Sequence, residues 1–149
     1  MSETFELDPR LAADTAPIGR SDGGLVLLMN DARWPWILLV PEHPDVSQLH
    51  ELEAGDAAQV LSTSLAIARA MTAEYPDRRI NVGALGNVVS QLHVHQVLRR
   101  EGDPAWPGPV WGHGVRTRYA PEALTEAVEH WRAVLGDLLV AGAGVPPTA

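Results

Sequence analysis

The sequence predicts an α+β domain in which an antiparallel sheet carries helices on one face. Three observations predict it. Strand-like runs occur at 25–29, Trp36–Val40, 80–84 and 88–99. Two longer stretches, 55–75 and 121–140, repeat apolar residues at three- and four-residue intervals, as helices do. Gly86-Asn87 is a turn signal between two of the strands, so that pair should run antiparallel. The order strand, strand, helix, strand, strand, long loop, helix then favours helices gathered on one side of the sheet.

Each element has its own local reason. Residues 7–14 read as a short helix with Asp8 as N-cap and Pro9 in the first turn. Asp22-Gly23-Gly24 is a turn, 25–29 a buried strand, and Asn30-Asp31-Ala32-Arg33 a second turn. Trp36–Val40 is the next strand, closed by Pro41. The mixed segment 41–54 holds a helical turn near 45–49. The clearest helix starts at Gly55-Asp56, carries Val60, Leu61, Leu65, Ala68 and Met71, and stops before Pro76. Strands follow at 80–84 and 88–99. The Gly-, Pro- and Trp-rich segment 101–114 reads as an irregular loop. Pro121 opens the last helix, which reaches about residue 140 with Leu124, Val128, Trp131, Leu135 and Leu138 on one face.

Bulk properties bound the function. The 149 residues suit a single domain, 1–149, with a core over about 7–140 and a Gly- and Pro-rich flexible tail at 141–149. At 46% hydrophobic and 20% charged residues, the chain can build a core and is not disordered in composition. No apolar run approaches the roughly 18 residues of a membrane span. The N-terminus lacks the basic and apolar pattern of a signal peptide, so the cytoplasm is the simplest location. Without cysteine there is no disulfide and no thiolate nucleophile; without lysine there is no Schiff-base chemistry. A formal charge of −8 argues against a nucleic acid polymer as partner, although arginines and backbone N–H groups could still gather a small anion.

The chemistry-bearing segment is Gln91-Leu92-His93-Val94-His95-Gln96-Val97-Leu98-Arg99. On a strand, Gln91, His93, His95, Val97 and Arg99 share one face, and the imidazoles stand about 7 Å apart in a polar stripe. Neutral imidazole is a good nucleophile near pH 7, and attack on phosphorus by His93 would give a phospho-histidine. That attack needs one ring nitrogen bare and the other donating to a fixed acceptor, such as a carbonyl on a neighbouring strand. His95 would steady phosphoryl oxygens or protonate the leaving group. Gln91 offers hydrogen bonds only, and Arg99 or Arg100 would balance substrate charge. Two other readings stay open at this level: a solvated strand face, and a metal site with His43, His50 or His113 as third ligand.

The stretch Asn81-Val82-Gly83-Ala84-Leu85-Gly86-Asn87-Val88-Val89-Ser90-Gln91-Leu92-His93-Val94-His95 resembles the signature of histidine-triad (HIT-like) proteins. Upstream, Leu27-Leu28-Met29-Asn30 and Trp36-Ile37-Leu38-Leu39-Val40-Pro41 look like that family's nucleotide-binding strands, so the resemblance covers about residues 25–100. It implies His93 as nucleophile and His95 as the third triad histidine, with Gln91 standing at the first. It also implies substrate contacts by Asn30, Asn81 and Asn87, a nucleotide-like small molecule as ligand, no cofactor or metal, and a homodimer. The activity implied is cleavage or transfer of a nucleoside monophosphate group, from a phosphoramidate, a phosphoanhydride or a dinucleoside polyphosphate. The sequence departs from the signature at Gln91, at Trp36 where a histidine is usual, and at Val88 where a hydroxyl residue is common. These departures motivate a second reading, a non-catalytic nucleotide-binding or sensing module of the same fold. The loop tryptophans Trp106 and Trp111 either cover a sheet edge or subunit interface, or stack on a ligand base.

Overall fold

A computed structural model describes residues 4–141, and antiparallel pairing runs through its whole sheet. Its elements are α1 (Pro9–Asp14), β1 (Thr15–Ser21), β2 (Gly24–Met29), β3 (Trp36–Val40), α2 (Ala54–Glu74), β4 (Arg79–Gly83), β5 (Val94–Arg99) and α3 (Pro121–Val134), with 3-10 turns at Leu49–Glu51 and Gly136–Leu138. The strand order is β1-β2-β3-β5-β4. Asp8 caps α1 by accepting from the Arg10 N–H at 2.8 Å. At the start of β2, Gly24 has φ +134°, and a Cβ there would run into the Val40 carbonyl, so glycine is required where β2 turns in beside β3.

Alternation along the strands divides the interior in two. Val26, Leu28, Ile37, Leu39, Val94 and Leu98 pack with Val60, Ile67 and Met71 of α2 and Trp131 of α3. On the other face, Leu25, Leu27, Trp36, Leu38, Val40 and Val97 pack with Leu11 of α1, Trp34 and the loop residue Val110. The two long helices therefore lie on one face, as expected, but the opposite face is also covered. The expected open polar stripe is instead a set of polar side chains set into a second apolar layer.

Several elements differ from the sequence expectation. β1 carries Pro17 and Gly19 and a bulge between them, so its strand pattern is weak; pairing with β2 holds it as an edge strand. The run at 88–99 is strand only from Val94, so β4 and β5 pair through a ten-residue loop, 84–93, rather than a tight turn at 86–87. Helix α2 turns Leu61 and Leu65 to solvent and buries Thr63 and Ser64. Ser64 Oγ accepts from the buried Gln96 Nε2 at 2.8 Å, and Thr63 sits over Gly23, where a Cβ would come within 2.5 Å. Local polar fit outweighs the two leucines. The helical turn expected near 45–49 lies at Leu49–Glu51, and α3 stops at Val134 just before Gly136, short of residue 140. Beyond Ala141 the expected tail lies outside the described residues.

Candidate active site

The 84–93 loop delivers His93 to the mouth of β5. The loop is fastened at its end, where the Leu92 N–H donates to the Val46 carbonyl at 3.0 Å. Next to it, Gln91 clamps the N-terminal arm: its Oε1 accepts from the Asp8 N–H and its Nε2 donates to the Glu6 carbonyl, both at 2.9 Å. His95 then sits within β5, opposite Leu38 of β3 and Gly83 of β4. Gly83 matters for its lack of a side chain. A Cβ there would stand 3.3 Å from the Trp111 ring, which lies over the sheet and meets His95 edge-on at 5.4 Å between centroids.

The two imidazoles are both buried, with ring centroids 4.9 Å apart. His93 Nδ1 lies 2.6 Å from the Gln91 carbonyl. A carbonyl can only accept, so Nδ1 carries the proton and neutral His93 keeps its lone pair on Nε2. The acceptor comes from the chain two residues back, not from a neighbouring strand as expected. His95 is arranged the opposite way. The Trp36 indole N–H donates to His95 Nδ1 at 2.9 Å, so that nitrogen must be bare and Nε2 carries the proton. Burial, helped by the nearby His93, pushes the His95 pKa down to about 3. The pair is therefore complementary: one ring presents a lone pair, the other an N–H.

Both rings line a cavity of about 330 Å³ together with Trp36, Trp111, Met29 and Asn87. His93 also lines a smaller recess of about 180 Å³ with Ser47, Gln48 and His50. Asp14 faces the larger cavity and is ion-paired with Arg116 at 2.8 Å, and Arg10 donates to the carbonyl of the cavity residue Val88 at 2.9 Å. Trp111 Nε1 is buried and, among the described residues, has no hydrogen-bond partner.

The other expected residues have different placements. Gln91 uses both ends of its amide on Asp8 and Glu6 and does not line the larger cavity. Arg99 is the last residue of β5, roughly 20 Å along the chain from His93 at strand spacing. It is 1% exposed, paired through Nε and Nη2 with Asp103, and its Nη1 donates to Asn81 Oδ1 at 3.0 Å. These contacts tie Arg99 and Asn81 to each other and to Asp103, and neither residue lines the cavity that holds the histidines. Asn30 Oδ1 accepts from the Tyr119 N–H at 2.9 Å, outside the cavity lining. Trp106 lies by Arg99, 5.7 Å from centroid to Cζ, so of the two loop tryptophans only Trp111 reaches the histidines. Trp36 stands where the family resemblance expects a histidine, and in the fold it bonds His95 directly. The signal that it belongs to the site was its place on the same sheet face as Leu38, one strand from His95. Among the described residues, no three His, Cys, Asp or Glu side chains converge to hold a metal ion.

The chain matches the HIT domain family over residues 10–102. A comparison with curated proteins gives no match. Among solved structures, a histidine triad protein from Marinobacter aquaeolei is 40% identical, with 91% of this chain and 99% of that one covered and a TM-score of 0.87. A histidine triad protein from Sinorhizobium meliloti is 42% identical, with 91% and 98% covered and a TM-score of 0.83. One from Bradyrhizobium japonicum is 35% identical, with 93% and 100% covered and a TM-score of 0.83.

Proposed function

The chain belongs to the HIT domain family, and on that premise we propose that it is a nucleotide-processing hydrolase or nucleotidyl transferase working through a covalent nucleotidyl-histidine intermediate. The scissile link is a phosphoramidate, a phosphoanhydride or a bond of a dinucleoside polyphosphate. The observation that carries the reading is the 2.6 Å contact of His93 Nδ1 with the Gln91 carbonyl, which leaves Nε2 as a directed nucleophile beside a cavity. His93 Nε2 attacks phosphorus, the leaving group departs, and water or another acceptor resolves the adduct. Two in-line steps give net retention at phosphorus. The His95 Nε2–H steadies a phosphoryl oxygen, and Arg10, which binds the carbonyl of the cavity residue Val88, is the arginine that supplies positive charge nearby. Asn87 in the lining is the polar side chain available to the nucleoside. The scheme uses no cofactor and no metal.

The same proposal includes a cytoplasmic homodimer. β4 is an edge strand with Val82 half exposed, which offers a second sheet a place to join. No described helix is long and apolar enough to cross a membrane. One observation favours the non-catalytic binding module as second reading: the Gln91 side chain offers nothing to the chemistry. The test is to incubate the protein with an adenosine phosphoramidate and with diadenosine tetraphosphate, quench, and measure the intact mass. A nucleotidyl adduct on His93 is expected, and His93→Ala should lose the adduct and lower turnover by at least roughly 10³-fold with the fold retained. An active His93→Ala protein would refute the nucleophile. Binding without adduct or product would select the module.

A further inference from the structure

His95 is held by a neighbour that can only donate. The Trp36 indole has one polar hydrogen and no acceptor, and it points that hydrogen at His95 Nδ1 from 2.9 Å inside the second apolar layer. For His95 to become an imidazolium, Nδ1 would need its own hydrogen, and two N–H groups would face each other without an acceptor between them. The remaining nitrogen, Nε2, belongs to a ring that lines the cavity. Its hydrogen can be shared with an oxygen, but giving it up from a neutral ring would leave an imidazolate.

The surrounding groups offer no substitute acid. From β3, Trp36 and Leu38 face His95; from β4, Gly83 does; from the loop, Trp111; none of these carries a charge. The titratable groups on the same cavity are His93 and Asp14. His93 is committed to the Gln91 carbonyl, and Asp14 is an ion-paired carboxylate on Arg116. Burial and the neighbouring His93 keep His95 unprotonated down to about pH 3.

We infer that Trp36 is a positioning residue that fixes His95 as a neutral Nε2–H donor, and that the site thereby favours phosphoanhydrides over phosphoramidates. The inference rests on His93 being the nucleophile. With an anhydride, the Nε2 lone pair of His93 forms the N–P bond and the bridging P–O bond breaks. Its electron pair leaves on a phosphate oxygen, as an anion stable without a proton. Water oxygen then bonds to phosphorus, the P–N pair returns to His93, and the water proton passes to bulk solvent. With a phosphoramidate, the departing pair would fall on an amine nitrogen, which leaves only if a proton reaches it first. A well-placed general acid is worth roughly 10²–10⁴-fold in such a step, and His95 as held here cannot supply it.

The test pairs a spectroscopic readout with a substrate ratio. In ¹⁵N NMR of the wild-type protein, His95 should show the Nε2–H tautomer from pH 5 to 8 without titrating. A His95 that carries hydrogen on Nδ1, or titrates as free imidazole does near about 6.5, overturns the inference. Wild-type kcat/KM for diadenosine tetraphosphate should exceed that for an adenosine phosphoramidate by at least ~100-fold, the share of a missing general acid. Trp36→Phe keeps a ring in the layer and removes the donor. It should let His95 titrate and shrink the ratio by about tenfold or more, with a new pH-dependent limb in phosphoramidate turnover. An unchanged ratio in a folded Trp36→Phe protein overturns the substrate preference. If that variant does not fold, the wild-type titration and ratio still decide. Failure of both substrates to give a His93 adduct would instead sink the functional proposal, while the NMR result judges the Trp36 contact separately.

Discussion

The two ends of β5 bury polar side chains on the same sheet face and do opposite things with them. At the C-terminal end, Arg99 and Asp103 form a two-point ion pair, Asn81 takes a further guanidinium hydrogen, and Asp103 also accepts from the Ala105 and Trp106 N–H groups. At the N-terminal end, His93 and His95 each have one nitrogen tied to the protein and one left on a ring that lines a cavity. Burial alone therefore does not mark a site. What separates the ends is where the unused groups lie: the arginine cluster lines no part of the larger cavity, whereas the histidine pair leaves one lone pair and one N–H on rings that do.

The comparison breaks first at Asp103. Burial alone would raise its carboxyl pKa, but the Arg99 contacts and the Ala105 and Arg100 N–H groups outweigh burial and hold it well below the usual carboxylate range. Asp103→Asn keeps an acceptor for the backbone groups and strands a buried guanidinium. Removing one partner of such a pair costs about 3–5 kcal/mol. Urea unfolding should report that loss, and adding Arg99→Met should restore most of it, because the stranded charge is gone. Activity per folded molecule should change little. Unaltered stability, or lost turnover in a stable variant, would mean that this end is not the closed, structural one.

Acid should reveal the histidine end. Folded His95 accepts a proton only near pH 3, whereas the same residue in the unfolded chain accepts one near about 6.5. Between those values the unfolded chain holds the extra proton. The stabilisation is thus complete above about pH 7 and is lost as pH falls through the window, by at most ~1.4 kcal/mol per pH unit. His95→Gln leaves an acceptor for Trp36 and removes the titration. The difference in unfolding free energy between wild type and His95→Gln should shift by about 2 kcal/mol between pH 6.5 and 5, with the contributions of other groups cancelling. Parallel curves would place His95 in contact with water or a proton source. Asp103 acts lower: its stabilisation is present above about pH 4 and fades as pH falls further, in both proteins.

Much of this arrangement is legible in the chain, and the rest depends on distant partners. Short continuous apolar runs found β2 and β3, which are buried on both faces, and three- and four-residue spacing found α2 and α3. β1 escaped because its edge position tolerates Pro17 and Gly19, and its pairing is set by β2 rather than by its own side chains. Alternation correctly put His93 and His95 side by side on one face. It put Gln91 and Arg99 there as well, because a strand pattern gives direction and not partners. Which of the four would be consumed depended on Glu6, Asp8, Asn81 and Asp103, which lie between 4 and 85 residues away in sequence. Trp36 was hidden for the same reason, since only the β3–β5 register brings it to His95.

Gln91 is the sharpest discriminator, though its effect should be the smallest. It stands two residues from His93 but resembles the arginine cluster in its contacts: its amide bridges Glu6 and Asp8 while its carbonyl, not its side chain, orients the nucleophile. Gln91→Leu keeps that carbonyl and deletes the bridge. Water can replace both partners at this partly exposed place, so the stability loss should be about 1 kcal/mol, near the net worth of one hydrogen bond. Hydrogen exchange at the Asp8 N–H should quicken, and kcat should fall by less than about threefold, because the bond to His93 Nδ1 is untouched. Gln91→His should accordingly bring no gain, since an imidazole here inherits the clamp and not a vacancy beside phosphorus. If Gln91→Leu instead loses activity on the scale of His93→Ala while the Asp8 N–H stays protected, the amide must leave its clamp during turnover. The reactive part of the 91–99 segment would then extend two residues further toward the N-terminus.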